Sequence, residues 1–251
     1  GEYMLIALPN MDGSFTVTLF LGREEGVYNF KSLSSEEKIN AFFKTQFPDA
    51  LALIPNIAAE FSNNPTGALG TVKCAPWYHQ HKTLIMGDAA HAVVPFYGQG
   101  MNASFEDVTV FDAILSKHEG DWERVFKEFE KARKEDADAI GDLAEENYFE
   151  MRDHVTNPLF KEKRKLEMEL EKSFPNEYFS KYSMVTFKED IPYSEAMKKG
   201  RAQDKALLNM IADKEISTSG AMTKEALAMI LKRVQEETNE MLAEDVIAGL
   251  K

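Results

Sequence analysis

One stretch constrains the fold of this chain more than any other: Thr83-Leu84-Ile85-Met86-Gly87-Asp88-Ala89-Ala90-His91-Ala92-Val93-Val94-Pro95-Phe96-Tyr97-Gly98-Gln99-Gly100-Met101-Asn102. Residues 83–86 read as a short apolar strand that stops at Gly87-Asp88 and leaves a carboxylate at its C-terminal end. Small residues follow, then a Pro-aromatic-aromatic stretch, then Gly98-x-Gly100 where a helical pattern begins. The first N–H groups of a helix have no intrahelical acceptor and carry partial positive charge. Glycines just before them let an anion or a flat polar ring reach the backbone. Strand, carboxylate, glycine loop and helix N-terminus, in that order, predict a nucleotide or cofactor site.

The chain around this stretch divides in character. On its N-terminal side, the apolar run 3–8, the turn residues Pro9-Asn10-Met11-Asp12-Gly13 and the period-2 run 14–21 predict a β-hairpin. Phe15, Val17 and Leu19 alternate there with Thr16 and Thr18, so the Phe15 face should be covered by something apolar. Ser34 and Glu37 have the spacing of a capping box ahead of a helix at 35–47 that stops at Pro48. A helix disturbed by Pro55 follows at 49–62, and 67–75 reads as a strand. Beyond about residue 102 the pattern is helical throughout, at 102–117, 121–154, 159–173, 193–213 and 223–248, punctuated by Pro158, Pro175 and Pro192. Val125, Phe126 and Phe129 mark one apolar face; Leu227, Ile230, Leu231, Val234, Met241 and Leu242 mark another, that of a docked amphipathic helix.

Composition excludes several function classes. The 251 residues are 44% hydrophobic, with 17 Phe and 12 Met, enough for a sizeable core or an apolar pocket. Forty-two acidic against 29 basic residues give a net charge of −13, which opposes nucleic-acid binding and docking on anionic lipid. The single cysteine, Cys74, permits no intramolecular disulfide and no cysteine-based zinc site, and fits a reducing compartment. His79 and His81 share a strand face but have no evident third ligand, so no metal is expected. His91, alone in a small-residue loop, reads as structural. No apolar run reaches the ~18 residues of a membrane span, and no basic n-region marks a signal peptide. The chain opens with Gly1 almost directly into a strand pattern, which reads as a piece of a longer protein or a processed product.

The stretch 87–102 resembles the second FAD-binding motif of the flavoprotein aromatic hydroxylases, Gly-Asp-Ala-Ala-His, then Pro, then Gly-x-Gly-x-Asn. The resemblance implies that Asp88 meets the ribityl chain or pyrophosphate of FAD and that Pro95 flanks the reactive face. It also implies that the backbone of Gly98, Gln99, Gly100, Met101 and Asn102 lies against the isoalloxazine ring. Within that group the chain is similar to the kynurenine 3-monooxygenases over roughly residues 3–213. The strings that carry this are Leu-Pro-Asn with Ser-Phe-Thr-Val-Thr-Leu-Phe at 8–20, Pro95 to Asn102, Glu-Asn-Tyr-Phe-Glu-Met at 146–151 and Lys-Tyr-Ser-Met-Val-Thr-Phe at 181–187. Asn147 and Tyr182 stand where that family contacts the amino-acid part of the substrate. Met151 lies one turn from Asn147, and Phe15 and Phe96 match aromatics that wall the substrate ring. Tyr97 departs from the family, which often has His there.

The implied fold is mixed, α+β and α/β. It is the C-terminal part of a p-hydroxybenzoate hydroxylase-like FAD fold followed by an all-helical region. Residues 1–76 would be substrate-domain strands and helices, 77–118 the remainder of the FAD-binding domain, and 119–251 the helical C-terminal region. The implied reaction is hydroxylation of L-kynurenine to 3-hydroxykynurenine with FAD, NADPH and O2 through a flavin C4a-hydroperoxide. No residue is nominated as a catalytic acid or base, since the cofactor carries the chemistry. The family's N-terminal strand, Gly-x-Gly-x-x-Gly and helix are not in this chain, nor is the arginine that clamps the substrate carboxylate. The whole protein is expected to be about 200 residues longer. The missing segment is a possible partner as a separate chain. The polar 214–251 tail is unlike the membrane anchor of eukaryotic members and fits a bacterial, cytoplasmic enzyme. Two alternatives stand beside this reading: a same-family hydroxylase of another aromatic acid, and a catalytically incompetent fragment or partner-binding module.

Overall fold

A computed structural model describes residues 2–153, 157–213, 216 and 222–249, with backbone alone for 246–249. Two compact units are present: the chain up to Leu69 with Met151–Asp153, and Gly70–Glu150 with the rest.

The first unit opens with the expected hairpin. Strands β1 (Met4–Pro9) and β2 (Phe15–Phe20) pair antiparallel, with Leu5 opposite Leu19 and Pro9 opposite Phe15. The turn closes through Asn10 N–H to Ser14 O at 2.8 Å and Ser14 N–H to the Asp12 carboxylate at 2.9 Å, with Gly13 at φ +82°. Helices α1 (Glu36–Gln46), α2 (Pro48–Leu53) and α3 (Ile57–Asn63) follow. Two expectations change here. The N-cap of α1 is Ser35, whose side chain accepts from Lys38 N–H, not Ser34; both serines precede glutamates, and the choice lies in where the backbone turns helical. The single helix expected at 49–62 is two helices, because Pro55 has no N–H to continue the first. The core of this unit is Leu33, Ile39, Phe42, Phe43, Ile57 and Ala58, with Tyr3, Leu5, Leu19 and Phe47 packed against it. Phe42 is its hub, with ring centroids 4.9 Å from Tyr28, 5.2 Å from Tyr3 and 5.7 Å from Phe47.

The second unit is mainly helical. Its only strands among the described residues are β3 (Tyr78–His79) and β4 (Thr83–Leu84), paired antiparallel. The expected strand at 83–86 is thus shorter, and 67–75 is not a strand. A strand needs a partner for its backbone groups, whatever its side-chain propensity. Val72 finds one bond, N–H to Ala92 O at 2.8 Å. The stretch otherwise runs along a helix: Thr71 and Lys73 cover Gly141, where a Cβ would sit 3.2 Å from Thr71, and Lys73 pairs with Asp142.

The helices are α4 (Asp88–His91), α5 (Gly100–His118), α6 (Trp122–Arg152), α7 (Pro158–Ser173), α8 (Lys181–Phe187), α9 (Tyr193–Ala212) and α10 (Lys224–Gly249). Five of these match the expected helical runs to within two residues, save that the end expected at 154 lies outside the described residues. Sequence reading missed α8, whose residues favour strands but whose start is capped by Ser180 accepting from Ser183 N–H. Val125 and Phe129 are fully buried as their spacing required, and Leu227, Ile230, Leu231 and Val234 dock α10 against α7 and α9. No described helix is long and apolar enough to cross a membrane.

Candidate functional site

The loop from β4 to α5 is built by glycines at three points. Gly87 has φ +58°, and its carbonyl accepts from Ala90 and His91 N–H at 2.9 Å each, which closes the one turn of α4 and leaves Asp88 exposed at its start. Gly98 has φ +68°, with nothing near the position of a Cβ. A Cβ on Gly100 would come 3.3 Å from Val93, so the loop passes close beneath the helix start. Helix α5 begins at Gly100 as the sequence predicts, with no acidic residue in its first turn and no capping bond from the Gln99 side chain. That side chain is turned inward: its Oε1 accepts from Asn102 Nδ2 at 2.9 Å and from the Tyr193 hydroxyl at 3.2 Å. The outer side is left to Pro95, Gly98, Met101 and Asn102, all exposed.

A buried ionic network holds this loop from behind, and sequence reading did not find it. Asp107 of α5 is fully buried, and one carboxylate oxygen takes the Gly87 N–H at 2.9 Å and His91 Nε2 at 2.6 Å. The other accepts from Arg133 Nε of α6 at 2.8 Å. Arg133 also reaches the Ala103 carbonyl at 3.3 Å and Glu106 at 3.0 Å. Burial alone would raise the Asp107 carboxyl; the bonds to His91, Arg133 and Gly87 outweigh it and hold it below the ordinary carboxylate range. His91 is therefore structural, as its setting in the sequence suggested. One signal was available for the missed pair. Arg133 continues the apolar spacing of Phe129 and Ala137, and a charge on a buried face needs a buried counter-charge.

The aromatic residues of the loop face the helical region. Tyr97 is buried, and its ring stacks on Tyr182 of α8 at 5.8 Å and 22°. Burial raises the Tyr97 hydroxyl well above its ordinary pKa, so it stays protonated. Phe96 lies 4.6 Å from Tyr148, and its carbonyl accepts from Asn147 Nδ2 at 2.7 Å. Five of the expected residues, Phe96, Tyr97, Gln99, Asn147 and Tyr182, thus meet around one loop. Met151, partly buried near the end of α6, and Phe15, exposed on β2, both belong to the first unit.

This arrangement has donors suited to a flavin's negative edge: an uncapped helix start, an open glycine at 98 and no competing carboxylate in the first turn. The FAD binding domain family matches residues 67–143, the span holding both the loop and the buried network. Kynurenine 3-monooxygenase of Myxococcus xanthus is 50% identical over 204 residues, which is 81% of this chain and 43% of that protein. That of Flavobacterium psychrophilum is 44% identical over 219 residues, 87% of this chain and 48% of the relative. That of Dictyostelium discoideum is 44% identical over 223 residues, 84% of this chain and 48% of the relative. The chain is homologous to the kynurenine 3-monooxygenases. It spans just under half the length of these relatives. The similarity to these monooxygenases, over 219 residues for the Flavobacterium psychrophilum protein, extends well beyond the span 67–143 of the FAD family match.

Proposed function

We propose that this chain is part of an FAD- and NADPH-dependent monooxygenase that hydroxylates L-kynurenine to 3-hydroxykynurenine. One observation carries the reading: the loop 96–100 is both the approach to the uncapped start of α5 and the partner of Asn147 and Tyr182. Cofactor and substrate groups would then meet on the two sides of a single loop. FAD would supply the reduction and oxygen activation that no side chain can. One oxygen atom of O2 goes to the ring carbon ortho to the amino group, the other leaves as water, and NADPH is oxidised.

The chain's own residues bind and orient. The first N–H groups of α5 would meet the flavin's negative edge, with the exposed Asp88 near its ribityl or pyrophosphate part. Asn147 fixes the Phe96 carbonyl and, with Tyr182, would meet the amino-acid end of kynurenine. Phe96 would wall the ring, and the protonated Tyr97 fills the place of the family's frequent His. Phe15 and Met151 are assigned to the substrate on family grounds alone. The domain reading, 1–76, 77–118 and 119–251, belongs to the same p-hydroxybenzoate hydroxylase-like arrangement.

The test is reconstitution. The chain is mixed with a separately made polypeptide carrying the N-terminal half of a relative, then given FAD, NADPH and aromatic acids. L-kynurenine should stimulate NADPH oxidation with 3-hydroxykynurenine as product. Stimulation by p-hydroxybenzoate and not by L-kynurenine would sink the substrate assignment.

A further inference from the structure

The helical unit holds a second buried charge network that the function above does not use. Its centre is Asp204 on α9. One carboxylate oxygen lies 2.6 Å from Lys163 Nζ of α7, the other 3.1 Å from Lys181 Nζ of α8. Lys181 also reaches α6, with Glu150 at 2.8 Å and Glu146 at 3.5 Å. The side chains of Lys163, Lys181 and Asp204 are 5%, 8% and 15% exposed, so these are interior charges. Burial disfavours the lysine cation, yet Asp204 and Glu150 more than reverse this and keep Lys181 charged.

Stability does not explain the network. Buried ion pairs gain little over well-packed apolar residues of the same volume, because desolvation offsets the attraction. What they supply is direction. Helix α8 has seven residues, too few to hold its own place, and it lies tight on α9: a Cβ at Gly200 would meet Lys181 Cβ at 2.6 Å. Lys181 is the residue before Tyr182, so whatever fixes Lys181 fixes the base of the tyrosine. The charges of Lys181, Glu150, Asp204 and Glu146 also act on the hydroxyl of the partner ring, Tyr97.

We propose that Asp204 is a positioning residue: with Lys163 and Lys181 it ties α7, α8 and α9 together and so sets the stacking of Tyr182 on Tyr97. The consequence for substrate rests on the function proposed above; the tie itself does not.

The experiment uses the chain labelled with 3-fluorotyrosine, with the Tyr97 and Tyr182 fluorine signals assigned by Tyr97→Phe and Tyr182→Phe. Asp204→Asn is expected to displace or broaden both signals while Tyr3 and Tyr28 of the first unit keep theirs. Unchanged Tyr97 and Tyr182 signals in the folded variant would overturn the proposal. Should Asp204→Asn fail to fold, Asp204→Glu keeps the charge but lengthens the arm, and the same displacement or its absence decides. In the reconstituted enzyme the variant should raise KM for L-kynurenine more than it lowers kcat. If kynurenine stimulates nothing even in the unsubstituted protein, the functional reading fails while the fluorine signals still decide the tie.

Discussion

Both units have apolar cores, but they differ in what else they bury. The first has an aromatic core centred on Phe42, with Tyr3, Tyr28, Phe43 and Phe47 around it, and its Lys31–Glu24 pair lies on the surface. The second buries two ionic networks, one around Asp107 and one around Asp204. Apolar packing is non-directional and rewards volume. Charged hydrogen bonds reward angle and distance, and lose heavily when one partner goes. The directional networks lie in the unit that carries the loop 87–100, within the span of the FAD binding domain match, and the Tyr97–Tyr182 pair. Precision, more than stability, distinguishes that unit.

This contrast can be broken by substitution. The largest effect should come from Arg133→Met, which leaves Asp107 buried and short of its cation: about 3–5 kcal/mol lost in the second unit by hydrogen exchange. Lys31→Met on the surface of the first unit should change its stability by no more than about 0.5 kcal/mol. Equal costs for the two would erase the contrast.

Next comes Phe42→Leu, an apolar exchange in the aromatic core. It should cost about 1–2 kcal/mol and leave the fold of the first unit intact by nuclear magnetic resonance. A loss as large as that of Arg133→Met would mean that the first core is as shape-specific as the second is charge-specific.

The third test is acidity. Burial pushes the Glu167 carboxyl of α7 up to about 7, only partly offset by Lys163. The folded chain then holds a proton that the unfolded chain releases near 4.5, so stability falls as pH rises from 4.5 to about 7 and levels off above. Glu167→Gln should flatten that slope, which is at most about 1.4 kcal/mol per pH unit within the window, in denaturant titrations at several pH values. The Asp107 carboxyl, held low, works in the opposite sense: its contribution is present above the ordinary carboxylate range and is lost only in stronger acid. An unchanged slope in Glu167→Gln would remove Glu167 from the account.

The smallest effect concerns the α1 cap. Ser35→Ala should cost about 1 kcal/mol, and Ser34→Ala less than about 0.5 kcal/mol, by thermal unfolding. A reversed order would restore the cap position read from the sequence.

Local chemistry was legible from the residues. Asp12-Gly13 marked the hairpin turn, Gly98-x-Gly100 the start of α5, and the spacing of Val125, Phe126 and Phe129 the buried face of α6. Each depends on neighbours a few residues away. Two failures were local, the cap at Ser35 instead of Ser34 and the break at Pro55; the larger ones depended on distant partners. The run 67–75 has strand-like residues, but its neighbour is α6, and α8 is a helix of strand-favouring residues pinned through Lys181 to Glu150 and Asp204.

The sequence by itself determined the glycine loop ahead of α5 and the similarity to kynurenine 3-monooxygenases. Only the tertiary structure decided how that loop is held. Asp107 and Arg133 lie 26 positions apart, and Lys181 and Asp204 belong to different helices. A charge can enter an interior only beside its counter-charge, and which residues become neighbours is settled by packing rather than by spacing along the chain.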